Sequence, residues 1–199
     1  MNDTKPIRSF LALELPPHIR NRIERLKEKL RSDVGAIRWT GEAGMHLTLK
    51  FFGDIVPNAV DCISETVERH ARSAPPLELA LGSPGGFPDL VRPRVLWLGV
   101  CGDTDRLATL QAAIDKDLEK ECGFPREKRT FTAHLTLGRA RSRIGRITGT
   151  DTLRERVGDV SAHRFTAREL ILFKSDLTPA GPVYTKLASF SLAGNRAGS

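Results

Sequence analysis

Cysteine is scarce in this chain. The 199 residues hold three, Cys62, Cys101 and Cys122, odd in number, far apart and without a CxxC pair. Neither a disulfide framework nor a zinc site is signalled, and reduced thiols in a cytosol are the expectation. No apolar run approaches the roughly 18 residues that a membrane span needs. The apolar stretch from Phe10 to Leu15 is broken by Glu14 and reads as a strand rather than a secretory segment. GxGxxG and GxxxxGK[ST] are both missing, so dinucleotide and P-loop readings lose their main support. No acidic cluster or Cys/His ligand spacing is evident, so neither a metal nor another cofactor is expected. Aromatic residues make up 6% of the chain. Phe10, Phe51, Phe131 and Trp39 are expected in the core.

What the chain has in excess is positive charge. Lys and Arg total 31 against 24 Asp and Glu, a formal net charge of +7. That balance suits a polyanionic partner, nucleic acid first. With 40% hydrophobic and 28% charged residues, a core can form without disulfides or metals.

Periodicity predicts strands over Ile7 to Leu15, Ile37 to Thr40, Met45 to Phe52 (closed by Gly53-Asp54), Leu77 to Leu81, Arg94 to Val100, Phe131 to Leu137, Phe165 to Lys174 and Val183 to Leu192. Pro84, Gly85, Gly86 and Pro88 are placed in the connection after Leu81. Helices are predicted over His18 to Arg31, Pro57 to Arg72 and Asp103 to Glu121, the last ended by Gly123. The stripes Ile19, Ile23, Leu26, Leu30 and Leu107, Leu110, Ile114, Leu118 mark buried faces. The tail from Ala193 is expected to fray. This mixed order argues α+β rather than a doubly wound sheet.

One tetrapeptide occurs twice: His46-Leu47-Thr48-Leu49 and His134-Leu135-Thr136-Leu137. Strand side chains alternate faces, so each copy sets His and Thr on one face and two leucines on the other. If the strands meet across a cleft, two imidazoles and two hydroxyls converge. One imidazole can take a proton from water while the other gives one to a leaving oxygen. The Thr48 and Thr136 hydroxyls can donate to phosphate oxygens. Arg139 falls on the back of a regular strand, but Gly138 permits a bend that would bring its guanidinium to a phosphate. Lys50 is expected to share the face of His46 and is a second basic candidate. Arg141, Arg143 and Arg146, with Arg126, Lys128 and Arg129, could hold an RNA backbone. His18, His70 and His163 read as solvated or structural.

The chain resembles the bacterial and archaeal RNA 2′,3′-cyclic phosphodiesterases, once named 2′-5′ RNA ligases, of the two-histidine (2H) phosphoesterase superfamily. The resemblance is carried by residues 7–12, Ile37-Arg38-Trp39, Met45 to Gly53, Pro93 to Gly99, Phe131 to Arg139 and Ser175 to Leu187. Gly44 and Ala133 depart from it, where the family often has Asn and Pro. It implies one bilobal domain over residues 1–199, two antiparallel sheets flanked by helices and related by a pseudo-twofold around a central cleft. It implies His46 as proton donor, His134 as proton acceptor, phosphate binding by Thr48, Thr136 and Arg139, and no metal. The implied reaction opens an RNA 2′,3′-cyclic phosphate, or a small cyclic nucleotide, to the 2′-phosphomonoester. A cytoplasmic monomer is expected. Ligation or cleavage of 2′-5′ linkages, and a nucleotide-binding module without turnover, stay open.

Overall fold

The computed structural model describes residues 5–31, 34, 37–140, 150–179 and 181–195. The apolar alternation after Ile7 becomes β1 (Ile7–Glu14), and Pro16-Pro17 turns the chain into α1 (Pro17–Leu30). Proline suits the first turn of a helix, where the amide it lacks would have no partner. The predicted stripe Ile19, Ile23, Leu26 and Leu30 is buried. There follow β2 (Ile37–Trp39), a 3₁₀ turn (Glu42–Gly44), β3 (His46–Ile55), α2 (Ala59–Ser73), β4 (Leu77–Phe87), β5 (Val95–Gly102) and α3 (Thr104–Cys122). The chain continues with β6 (His134–Ala140), α4 (Thr150–Val157), β7 (Arg164–Ala167), β8 (Glu169–Thr178) and β9 (Gly181–Ser191).

The strands are antiparallel in the order β7-β4-β5-β6-β3-β1-β8-β9, with β2 on β6. The two motif strands lie at the centre and are joined by one pair, Leu47 opposite Leu135. Each half is finished by a strand from the other. β4 follows β3 in the chain yet pairs with β5, and β8 follows β6 yet pairs with β1. The α+β class and the antiparallel strands are as expected, but the two expected sheets are one continuous nine-stranded sheet, joined at the Leu47–Leu135 pair. Leu47, Leu49, Leu135 and Leu137 point into the main core with Ile19, Ile63, Leu107 and Ile114. A second, smaller cluster of Phe10, Ala12, Ile171 and Phe173 packs against Tyr184.

Several expectations need correction. β4 runs through Pro84-Gly85-Gly86 instead of ending at Leu81. β7 pairs with β4 only over Leu77–Ala80, so Pro84 lies beyond the stretch where that edge needs an amide donor. The strand expected over Phe165 to Lys174 is two strands, because β7 joins β4 at one end of the sheet and β8 joins β1 towards the other. β3 continues past Gly53-Asp54, since β1 pairs with it as far as Ile55. β6 begins at His134 rather than Phe131, and α4 had no periodic signal. Tail residues 193–195 do not all fray: the Ala193 and Gly194 amides donate to the Ala71 and Ala74 carbonyls at 3.3 and 2.9 Å.

The thiols also differ from expectation. Cys62 and Cys122 form a disulfide with Cα atoms 6.0 Å apart, and Cys101 alone is free. Spacing in sequence concealed the pair because α2 and α3 pack side by side. Arg69 of α2 reaches Glu121 of α3 at 2.8 Å, and His70 reaches Asp117 at 2.9 Å. His70 is thus structural, as expected.

Candidate active site

Both copies of the repeated tetrapeptide open a strand, and both strands carry the same irregularity. Leu11 and Ala12 of β1 pair with Lys50 and Thr48 of β3, so Leu49 is an extra residue and the alternation slips by one. Trp97 and Leu96 of β5 pair with Thr136 and Gly138 of β6, so Leu137 is extra in the same way. In each motif the His and Thr face the cleft, the next two residues face the core, and the fifth residue after His returns to the cleft. That fifth residue is Phe51 in one copy and Arg139 in the other, and both line the cleft.

The bulge explains three outcomes. Arg139 reaches the cleft as expected, but through the extra residue Leu137 rather than a bend at Gly138. Lys50 does not share the face of His46; it is 3% exposed. It pairs with buried Asp115 and donates to the Pro125 carbonyl at 2.9 Å. Asp115 in turn accepts the Glu127 amide at 2.9 Å, so the pair braces β3 against the segment leading to the second motif. Phe51 is 57% exposed and not core. Nor are Phe10 and Trp39 simply core: both line the cleft, Phe10 beneath His46.

Gly138 also sets how close β2 can come. A Cβ there would lie 2.4 Å from Ile37 Cγ2 and 2.9 Å from the Arg38 carbonyl oxygen. Gly85 plays a comparable part behind His134. A Cβ there would meet the Trp97 ring at 2.1 Å, so the indole lies flat on β4 and reaches the histidine.

Each imidazole has an aromatic wall. His46 stacks on Phe10 at 4.5 Å between centroids, with Tyr184 edge-on at 5.3 Å. His134 has Phe87 edge-on at 5.0 Å and Trp97 at 5.9 Å. The Nδ1 of His134 lies 2.7 Å from the Thr132 carbonyl. A carbonyl only accepts, so Nδ1 carries the hydrogen and the neutral ring keeps its lone pair on Nε2. Burial pushes the His134 pKa below the ordinary imidazole range, and the charge of Arg139 adds to that; the Thr132 bond works against it. Burial also raises the Tyr184 hydroxyl, opposed by the charges of Arg139 and Arg8.

These groups share a cleft of about 990 Å³, lined by His46, Thr48, His134, Thr136 and Arg139 and by Arg8, Arg38 and Tyr184. Glu42 is the one carboxylate among the described lining residues. Tyr184, Phe173, Phe87, Trp97, Arg8 and Arg38 escaped the sequence reading as site residues. They come from strands that reach the cleft only through sheet order, and none has a local motif. Arg141, Arg143 and Arg146 lie outside the described residues. Among the described residues no group of three His, Cys, Asp or Glu could hold a metal ion, and no helix is long and apolar enough to cross a membrane.

A family model described as the 2′-5′ RNA ligase superfamily matches residues 15–179. The chain belongs to the 2′-5′ RNA ligase superfamily. Within that superfamily it is 33% identical over 189 residues to the RNA 2′,3′-cyclic phosphodiesterase of Methanothermobacter thermautotrophicus, covering 94% of this chain and 99% of the relative. It is 28% identical to the protein of the same name from Aquifex aeolicus, with 96% and 100% covered. The solved structure of TT0787 from Thermus thermophilus superposes with a TM-score of 0.76 at 27% identity, covering 96% of this chain and all of that one. The fold shared with that structure thus extends over nearly the whole chain.

Proposed function

We propose that this chain hydrolyses terminal 2′,3′-cyclic phosphates of RNA to 2′-phosphomonoesters, with His46 as proton donor and His134 as proton acceptor. The observation that carries the reading is the convergence of two His/Thr pairs from adjoining strands in one basic cleft. RNA, or a small cyclic nucleotide, is the substrate class that fits the excess of guanidinium over carboxylate there. The name shared by the relatives supports the same reaction.

The chemistry follows from the side chains. Nε2 of His134, neutral because burial lowers its pKa, takes a proton from water as the water oxygen attacks phosphorus. The bond from phosphorus to the 3′-oxygen breaks, and that oxygen takes its proton from His46. The face of Phe10 is a favourable neighbour for the imidazolium that His46 must be before this step. Thr48 and Thr136 donate to the non-bridging oxygens, and Arg139 balances the charge that develops on them. By the Leu47–Leu135 register, His46 lies across from Thr136 and Thr48 across from His134, so each imidazole adjoins a hydroxyl of the other motif. One copy of the chain suffices for the site in this reading, since both motifs come from one polypeptide.

The test is an RNA oligonucleotide ending in 2′,3′-cyclic phosphate, with the product identified by phosphorus NMR. A 2′-phosphomonoester is expected. A 3′-phosphate would mean that the two histidines, or the ribose, are assigned backwards, and a joined 2′-5′ product would favour ligation.

A further inference from the structure

Arg38 and Arg139 are direct Cα partners across the β2–β6 pair, and both side chains are exposed and line the cleft. Like charges directly opposite each other on neighbouring strands destabilise the pairing. Among the described residues no carboxylate lies within ion-pair reach of either guanidinium. The backbone nevertheless enforces the arrangement. Gly138 leaves room for β2 at the point where a Cβ would strike the Arg38 carbonyl. Thr40, just beyond β2, donates its amide to the Leu137 carbonyl at 2.9 Å. Its own carbonyl accepts from Lys27 Nζ at 2.5 Å, and that lysine is 1% exposed. Arg38 therefore sits on a strand pinned from both sides, not on a free arm. At the matching bulge of the first motif the buried residue is Lys50 rather than a glycine, and the strand partner of Phe51 is Phe10.

A cyclic phosphate carries one negative charge, which Arg139 can meet alone. A second fixed guanidinium beside it matches the next charge of a nucleic-acid backbone. We propose that Arg38 holds a second phosphate of the substrate, the one on the 5′-oxygen of the terminal ribose, beside the phosphate held by Arg139. This rests on the reading of Arg139 as a ligand of the terminal phosphate. It narrows the substrate to a nucleotide with phosphate on both sides of the ribose, as at an RNA 3′ end, over a nucleoside cyclic monophosphate.

Calorimetric titration of the full chain with adenosine 2′-monophosphate and adenosine 2′,5′-bisphosphate tests this without turnover. The wild type should prefer the bisphosphate by about tenfold or more, the scale of one charge-assisted contact. Arg38→Gln should bring the two affinities together, and Arg38→Lys should keep part of the preference. Arg8→Gln, on the opposite half of the cleft, should leave the preference in place. Equal binding of both ligands by the wild type overturns the proposal. So does Arg38→Gln weakening both ligands equally, which would put the guanidinium on the terminal phosphate, or Arg8→Gln alone removing the preference. A wild type that leaves cyclic RNA ends intact yet prefers the bisphosphate refutes the hydrolase reading and not this subsite.

Discussion

The two imidazoles differ in surroundings more than in position. His134 is tied through Nδ1 to Thr132 and desolvated, while His46 lies on an aromatic face. We expect His46→Ala and His134→Ala each to lower turnover by about a hundredfold or more, the ordinary scale of acid–base catalysis. Their circular dichroism should match that of the wild type; a folded His134→Ala chain with near-normal turnover would sink the assignment. The pH profile carries a sign. A base with a lowered pKa stays neutral into more acid solution, so the acid limb of kcat/KM should fall below the ordinary imidazole range. An acid limb above that range would mean that the buried ring is not the base. That the two histidines, both threonines and Arg139 would share one cleft was legible in the sequence, because a polar pair repeated on an apolar strand is hard to explain by packing. Lys50 was misplaced, since one extra residue in a strand reverses every side chain after it.

At the level of strands and helices, two features are hidden from local sequence. Gly138 admits β2, so Gly138→Ala should push Ile37 to Trp39 away from β6. A loss of about 1–3 kcal/mol is expected in chemical denaturation, as for other overpacked sites, with a raised KM for the RNA substrate. A variant with unchanged stability would show that β2 yields easily. The disulfide between α2 and α3 closes a loop with a sequence separation of 60. By loop-closure entropy its removal in the double variant Cys62→Ser, Cys122→Ser should cost up to about 4 kcal/mol. Neither cysteine lines the cleft, so turnover at low temperature should persist. Loss of turnover from a chain still folded would link the helix pair to the site in a way its position does not suggest.

At the scale of the whole molecule, the crossing of β4 and β8 matters most. Each half of the sheet is completed by a strand from the other half of the chain. Neither half can then unfold without opening the other, and we propose that residues 1–199 behave as one folding unit. Heat or urea should give a single transition, the same by far-ultraviolet dichroism and by tryptophan fluorescence. Two separated transitions would show that the halves fold independently. The central seam, one bridging pair between β3 and β6, keeps the two motifs adjoining while leaving the cleft open above them.

By itself the sequence determined most of the elements, most of their apolar faces and the chemistry of the repeated motif. Those follow from side-chain period and from what imidazole, hydroxyl and guanidinium groups can do, which are local properties. Tertiary structure decided which strands adjoin, and so which aromatic rings wall each histidine. It decided that Lys50 turns to the core and Phe51 to the cleft, that Arg38 lies against Arg139, and that Cys62 meets Cys122. None of these has a sequence signal. Strand order and bulge position are fixed by how the whole sheet closes over its core, and not by any residue's own preference.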